Sequence, residues 1–256
     1  MLLCRFKTDQ GKFFGLIDKN HITAIKGSYF DTAFSLTNLR FDTDKISLLA
    51  PCQPSKIVAV GLNYIDHAKE LGLKLPKEPL IFIKPSTSVI GPDDAIVYPD
   101  DVGQLDFEAE LAVVIKKAAK DVRADQVKDY ILGYTCLNDV TARDLQKKDG
   151  QWTRAKSFDT FCPIGPCIST DPETGDRDIT LRLNGKLRQS SNTKNMIFGP
   201  EHLVSYISRI TTLLPGDIVA TGTPGGIGPM VPGDDVEISI EGIGSLRNKV
   251  VKDDKR

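Results

Sequence analysis

The sequence predicts an α+β fold in which strands outnumber helices, and two observations carry that reading. Apolar runs are short and rich in Ile and Val, as in Ile57-Val58-Ala59-Val60, Leu80-Ile81-Phe82-Ile83 and Leu111-Ala112-Val113-Val114-Ile115. They are separated by strong turn formers, among them Asn184-Gly185, Pro215-Gly216-Asp217 and Pro232-Gly233-Asp234. Helical spacing is confined to a few segments, such as residues 201–210, where Leu203, Val204, Ile207 and Ile210 share one side.

In chain order, residues 2–7, 13–18 and 22–25 read as short strands broken by Asp9-Gln10-Gly11 and Lys19-Asn20. They define a small β-rich N-terminal subdomain over residues 1–52, joined through Pro51-Cys52-Gln53-Pro54 to a larger unit over residues 53–256. A buried strand at 56–61 opens onto a short helix that Gly72 stops. His67 and Glu70 are spaced i, i+3 on that helix, so they form either an incidental surface pair or a carboxylate-oriented general base for water. Residues 80–83 form another buried strand. Lys84 at its end either snorkels to solvent or presents a fixed positive charge to an anionic ligand.

Residues 105–115 read as one strand. Glu108 and Glu110 lie two apart in it and therefore face one way, beside a segment too apolar for a solvated edge. An isolated Glu-x-Glu pair is most often a solvent face. Here a second apolar run, residues 130–138, ends on Asp139. Three carboxylates at strand positions, with no Cys or His at ligand spacing, suit a hard divalent ion, Mg²⁺ or Mn²⁺, rather than zinc. A helix is expected around residues 124–131. One or two helical turns follow Asp139, placing Arg143 and Gln146 on one face where they could bind a carboxylate. Residues 151–166 read as an ordered loop that brings Lys156 near the carboxylates. Residues 180–188 form a hairpin around Asn184-Gly185.

The loop Thr221-Gly222-Thr223-Pro224-Gly225-Gly226-Ile227-Gly228 is not a dinucleotide fingerprint, because a strand and prolines follow it instead of a helix. It can still offer backbone N–H groups and the hydroxyl of Thr221 or Thr223 to an anionic oxygen.

With 33 basic and 34 acidic residues among 256 and a net charge of -1, the chain gives no reason to expect a nucleic-acid or membrane-surface partner. The N-terminus lacks a signal-peptide pattern and no apolar run reaches membrane-spanning length. Five scattered cysteines fit small buried thiols in a reduced, cytoplasmic protein, and the charged tail at 252–256 reads as a solvated terminus.

Taken together, these motifs resemble the fumarylacetoacetate hydrolase family. The matching pieces are Asn63-Tyr64-x-x-His67-x-x-Glu70, Ile83-Lys84-Pro85, Phe107-Glu108-x-Glu110-Leu111, Asn138-Asp139-x-x-x-Arg143-x-x-Gln146, Lys156-Ser157-Phe158-Asp159-Thr160-Phe161-x-Pro163 and Thr221-Gly222-Thr223-Pro224-x-Gly226-x-Gly228. They run in family order from about residue 55 onward. The resemblance implies a mixed β-roll, barrel-like catalytic domain of the fumarylacetoacetase C-terminal type and a homodimer. It also implies Mg²⁺ or Mn²⁺ on Glu108, Glu110 and Asp139, and a 2-oxo acid substrate. On that pattern His67, Glu70 and Lys156 are the catalytic groups, and Lys84, Arg143, Gln146 and Thr223 the substrate-binding ones. The implied chemistry is C–C hydrolysis of an acylpyruvate or decarboxylation of oxaloacetate, through enolate charge stabilised by the metal. The alternative is isomerisation or tautomerisation of a hydroxydienedioate or of the oxaloacetate enol.

Overall fold

The computed structural model describes residues 1–31, 33–70, 72–173 and 175–253. Its main feature is a twelve-stranded sheet. The sheet runs, in spatial order, through Ser35–Asp42, His21–Lys26, Gly11–Asp18, Leu2–Thr8, Cys162–Ser169, Ile131–Asn138, Ala109–Ile115, Ile218–Ala220, Lys56–Gly61 and Leu80–Pro85. Ser47–Leu49 and Val89–Ile90 pair from the side with Leu2–Thr8 and Cys162–Ser169. Among the described residues the two ends of this path do not pair, so the expected β-roll is open and not a closed barrel. The N-terminal strands join it through Leu2↔Ser169 and Leu3↔Ile168.

A five-stranded sheet, Lys186–Asn192, Asp178–Leu183, Asp235–Ile240, Gly244–Lys252 and Ala95–Tyr98, packs against the middle of the large one. In Asp235–Ile240 every second residue is buried, as expected for a sheet with one face on the core. The central Ala109–Ile115 strand is buried throughout. Leu111 and Val113 pack with Ile179, Leu181 and Ile238 on one side. Ala112 and Val114 pack with Ile57, Ala59 and Ile218 on the other. By the two-residue period Glu110 belongs to this second side.

The Asn184-Gly185 hairpin forms as expected, with φ of 51° and 75°, the left-handed pair that a two-residue hairpin turn requires. Gly72, at φ 64°, ends the helix Ile65–Glu70, and the amphipathic helix spans Pro200–Ile210. No helix among the described residues is long and apolar enough to cross a membrane.

Four local expectations need correction. Residues 124–131 form a 3₁₀ helix, Ala124–Tyr130, and Ile131 already belongs to the next strand. The segment 151–166 is not all loop, since Thr153–Lys156 is a helical turn and Cys162–Ser169 a strand. Leu80–Pro85 is an edge strand with Leu80 and Ile83 more than half exposed, because among the described residues no strand pairs with its outer side. Lys252 closes the Gly244–Lys252 strand, whereas residues 254–256 of the charged tail lie outside the described residues.

Candidate metal centre and active site

The expected single strand over residues 105–115 is interrupted at Glu108. Leu105–Phe107 belongs to a separate three-stranded sheet with Thr141–Ala142 and Gly228–Met230, whereas Ala109–Ile115 pairs with Ile131–Asn138 in the large sheet. The paired strand breaks at the same level, between Asn138 and Thr141, so two neighbouring strands leave one sheet together and enter the other. The break is sutured by Asp139 N–H donating to the Glu108 carbonyl at 2.9 Å and Glu108 N–H donating to Asn138 Oδ1 at 3.0 Å. Glu108 and Asp139 thus both sit in the gap between the sheets, and Glu110 joins them from the second residue of the Ala109–Ile115 strand. One oxygen from each of the three carboxylates lies within 4.8 Å of the others, and all three residues are buried.

Charges around this cluster are nearly balanced. The Lys156 ammonium bridges Glu108 Oε2 at 2.9 Å and Asp139 Oδ2 at 2.6 Å, and Lys84 donates to Asp139 Oδ1 at 2.6 Å. Arg143 donates to Asp106 Oδ2 at 2.8 Å, to Glu108 Oε1, and to Gln146 Oε1 at 2.5 Å. Burial by itself raises the Glu108 pKa, but the charges of Lys156 and Arg143 outweigh it and hold the carboxyl at about 2. For Lys156 burial again works against the charge, and Asp139 and Glu108 prevail, holding the ammonium above its ordinary value. Glu110 differs. Its polar contact is the Gly222 N–H at 2.8 Å, and burial plus the charges of Asp139 and Glu108 push its pKa well above the carboxylate range. Glu110 is the one acid of the cluster that no cationic side chain answers.

That surplus is what a divalent cation would relieve. Hard carboxylate oxygens with no nitrogen or sulfur donor suit Mg²⁺ or Mn²⁺. The donor set and the unanswered Glu110 therefore fit a metal at Glu108, Glu110 and Asp139.

The cluster forms the floor of a cavity of about 490 Å³. His67, Arg143, Gln146, Lys156 and Thr223 line it together with the three carboxylates. Lys84 does not line it. Its side chain is fully buried and its ammonium is spent on Asp139 and the Val140 carbonyl, so it sits behind the carboxylate and not on the wall. Also in the lining, His67 places its Nδ1 3.2 Å from Glu70 Oε2, and the Glu70 carboxylate accepts the Gly226 N–H at 3.1 Å. A carboxylate at Nδ1 favours the tautomer whose Nε2 carries the lone pair. The glycine-rich loop thereby pins the residue that orients the histidine.

Several participants escaped the sequence reading. Gln189 is buried, accepts the Ala109 N–H at 2.9 Å and donates to Thr223 Oγ1 and the Pro224 carbonyl, each at 2.9 Å. Because Thr223 Oγ1 accepts that bond, its own O–H remains available for donation. Asp106, which anchors Arg143, continues the two-residue period of Glu108 and Glu110 and was legible on that ground. Phe82 and Trp152, ring centroids 5.1 Å apart, build an apolar wall from sequence positions with no local signal connecting them. From sequence the distal end of the site falls to residues 71–77, 146–150 or 189–197, and of these Leu73, Gln146 and Lys147 line the cavity. No residue of 189–197 lines it, Gln189 reaching it only through its bond to Thr223, and Leu71 is outside the described residues. The five thiols are all buried, and burial pushes Cys162 up to about 12, which removes it as a nucleophile.

Comparison with known proteins agrees with this architecture. The family model for the fumarylacetoacetate (FAA) hydrolase C-terminal domain matches residues 56–251, and an Rv2993c-like N-terminal model matches residues 1–51. The mitochondrial oxaloacetate tautomerase Fahd2a of Rattus norvegicus is 45% identical over 219 residues, 81% of this chain and 70% of that one. The crystal structure of 5-carboxymethyl-2-hydroxymuconate delta-isomerase from Mycobacterium smegmatis superposes with a TM-score of 0.93 at 42% identity, covering 98% of this chain and 100% of that one. Maleylpyruvate hydrolase from Sphingobium sp. SYK-6, solved with manganese(II) and pyruvate, gives a TM-score of 0.82 at 32% identity, covering 98% and 99%. With a family model spanning most of its length and relatives of this identity, the chain belongs to the fumarylacetoacetate hydrolase family.

Proposed function

We propose that the protein is a Mg²⁺- or Mn²⁺-dependent enzyme that cleaves a C–C bond in a 2-oxo acid, by hydrolysis of an acylpyruvate or decarboxylation of oxaloacetate. The observation that carries this reading is the unanswered buried Glu110 beside Glu108 and Asp139 at the floor of the cavity. Glu108, Glu110 and Asp139 would hold the divalent ion, which would supply Lewis-acid polarisation of a keto oxygen.

The remaining work falls to side chains. Lys156, 2% exposed, presents a fixed ammonium beside the position where enolate charge develops, in a site too dry to screen it. Arg143, held by Asp106 and Glu108, orients the latter. Gln146, whose Oε1 is occupied by Arg143, has its amide N–H groups left for a substrate carboxylate. Thr223 offers its O–H to the same substrate end. His67, with Nδ1 on Glu70, takes a proton from water at Nε2 in hydrolysis, whereas decarboxylation needs no attacking water.

Isomerisation or tautomerisation is the second reading, favoured by the similarity to an oxaloacetate tautomerase and to a hydroxymuconate isomerase. There the His67–Glu70 pair shuttles a proton and no bond between carbons breaks. The assay that separates the two follows pyruvate release and enol absorbance together, with Mg²⁺, from oxaloacetate and a panel of acylpyruvates. Glu110→Ala protein is the blank, expected to lose both metal binding and turnover. Pyruvate above the blank establishes cleavage. Absorbance change without pyruvate replaces the first reading with the second. The homodimer belongs to the same proposal and is measured by sedimentation equilibrium.

A further inference from the structure

The cavity carries one charge more than its floor needs. Lys84, Arg143 and Lys156 pair with Asp139, Asp106 and Glu108, which leaves Glu110. A divalent ion exceeds Glu110 by a single charge, and the carboxylate of a 2-oxo acid answers it. Lys147 stands outside that balance. It lines the cavity and is exposed, and among the described residues no carboxylate pairs with its ammonium.

Its position is at the rim. Glu110, Asp139 and Lys156 are at most 2% exposed and form the floor, whereas Lys147, Leu73 and Pro229 are the exposed residues of the lining. Lys147 follows Arg143 by four residues on the helix Arg143–Asp149, so it shares that face about 6 Å further along the axis. Between floor and rim the wall is apolar, built by Val60, Phe82, Trp152 and Ile227. A chain of a few carbons fits that wall, and among the described lining residues Lys147 is the lysine or arginine an anion at its far end meets uncommitted, since Arg143 and Lys156 are already engaged by carboxylates.

We propose that Lys147 is a specificity-determining residue that selects 2-oxo acids bearing a second carboxylate at the distal end, its ammonium pairing with that group. The inference rests on the 2-oxo acid reading above. It assigns the far end of the substrate, where that reading assigns only the chelating end.

The test is calorimetric binding to Mn²⁺-loaded protein, with pyruvate, 2-oxoglutarate and the distal methyl ester of 2-oxoglutarate as probes. Lys147→Met keeps the stem and removes the charge, and Lys148→Met, next to it but off the cavity wall, is the control. Wild type and the Lys148 variant should bind 2-oxoglutarate about 5- to 10-fold more tightly than its ester, an advantage that shrinks as salt is raised. Lys147→Met should lose that advantage while binding pyruvate as wild type does. An advantage that survives in Lys147→Met, or is absent in wild type, overturns the role of Lys147 and leaves the 2-oxo acid reading standing. If pyruvate fails to bind the Mn²⁺-loaded wild type, the 2-oxo acid reading itself falls and this inference falls with it.

Discussion

Lys156→Met tests the charge balance of the site without assuming a substrate. The ammonium is 2.9 Å from Glu108 and 2.6 Å from Asp139, with the Phe82 ring centroid 5.1 Å away, so methionine keeps the stem packing and removes only the charge. Breaking a buried ion pair from one side leaves an uncompensated charge and costs about 3–5 kcal/mol. At about 2–4 °C per kcal/mol for a chain of this size, the variant should melt roughly 6–20 °C below wild type in the presence of a chelator. Mn²⁺ should then raise its melting temperature by more than it raises that of wild type, because removing one cation lets the carboxylates hold another more tightly. Ligand at about 100 times its Kd contributes about 2.7 kcal/mol, enough to recover most of the loss. Lys45→Met is the control. Its pair with Asp42 spans 2.9 Å but lies in the open, and its melting temperature should not move. A Lys156→Met protein that melts within about 2 °C of wild type in chelator, or that gains less from Mn²⁺ than wild type, would refute the reasoning.

Three further outcomes follow from the same geometry. His67→Ala should bind Mn²⁺ as wild type does and lose roughly 10²- to 10⁴-fold in acylpyruvate hydrolysis, the usual worth of a positioned base; normal hydrolysis by the variant would remove His67 from that role. Asp217 accepts from Ser55, the Lys56 ammonium and the Leu214 N–H, and although burial opposes its charge these donors hold its pKa below the ordinary value. Its contribution is therefore present above about pH 4 and fades as the pH falls further. Asp217→Asn should cost about 3 kcal/mol in urea unfolding at pH 7, and the gap to wild type should narrow in acid. A gap independent of pH would contradict the assignment. Gly61→Ala would place a methyl group 2.4 Å from the Trp152 ring. The only tryptophan of the chain must then shift on the cavity wall, changing its fluorescence and costing on the order of 10- to 100-fold in turnover; unchanged emission and turnover would show that the wall tolerates it.

Much of the carboxylate cluster was legible in the sequence, because its signals are local. Glu108 and Glu110 two apart, flanked by Leu111–Ile115, already say that two acids aim at one dry place, and Asp139 closes an apolar run of its own. The helix Pro200–Ile210, the Asn184-Gly185 hairpin and the Gly72 stop were readable for the same reason. Each depends on a side-chain period or a backbone angle that neighbours within a few residues dictate. The break at Glu108 was not readable. It arises because Ala109 pairs with Asn138 in one sheet while Asp106 pairs with Thr141 in another, a choice made some thirty residues away along the chain. Register likewise decided which cation faces the cavity. Lys84 and Lys156 look equivalent as residues, yet one lies behind Asp139 and the other on the cavity wall. The sequence by itself determined which groups can carry the chemistry and which faces they share. Only the tertiary structure decided how those faces meet, because the positions of Gln189, the Phe82–Trp152 wall and Lys147 depend on contacts between segments far apart in the chain, which no local pattern records.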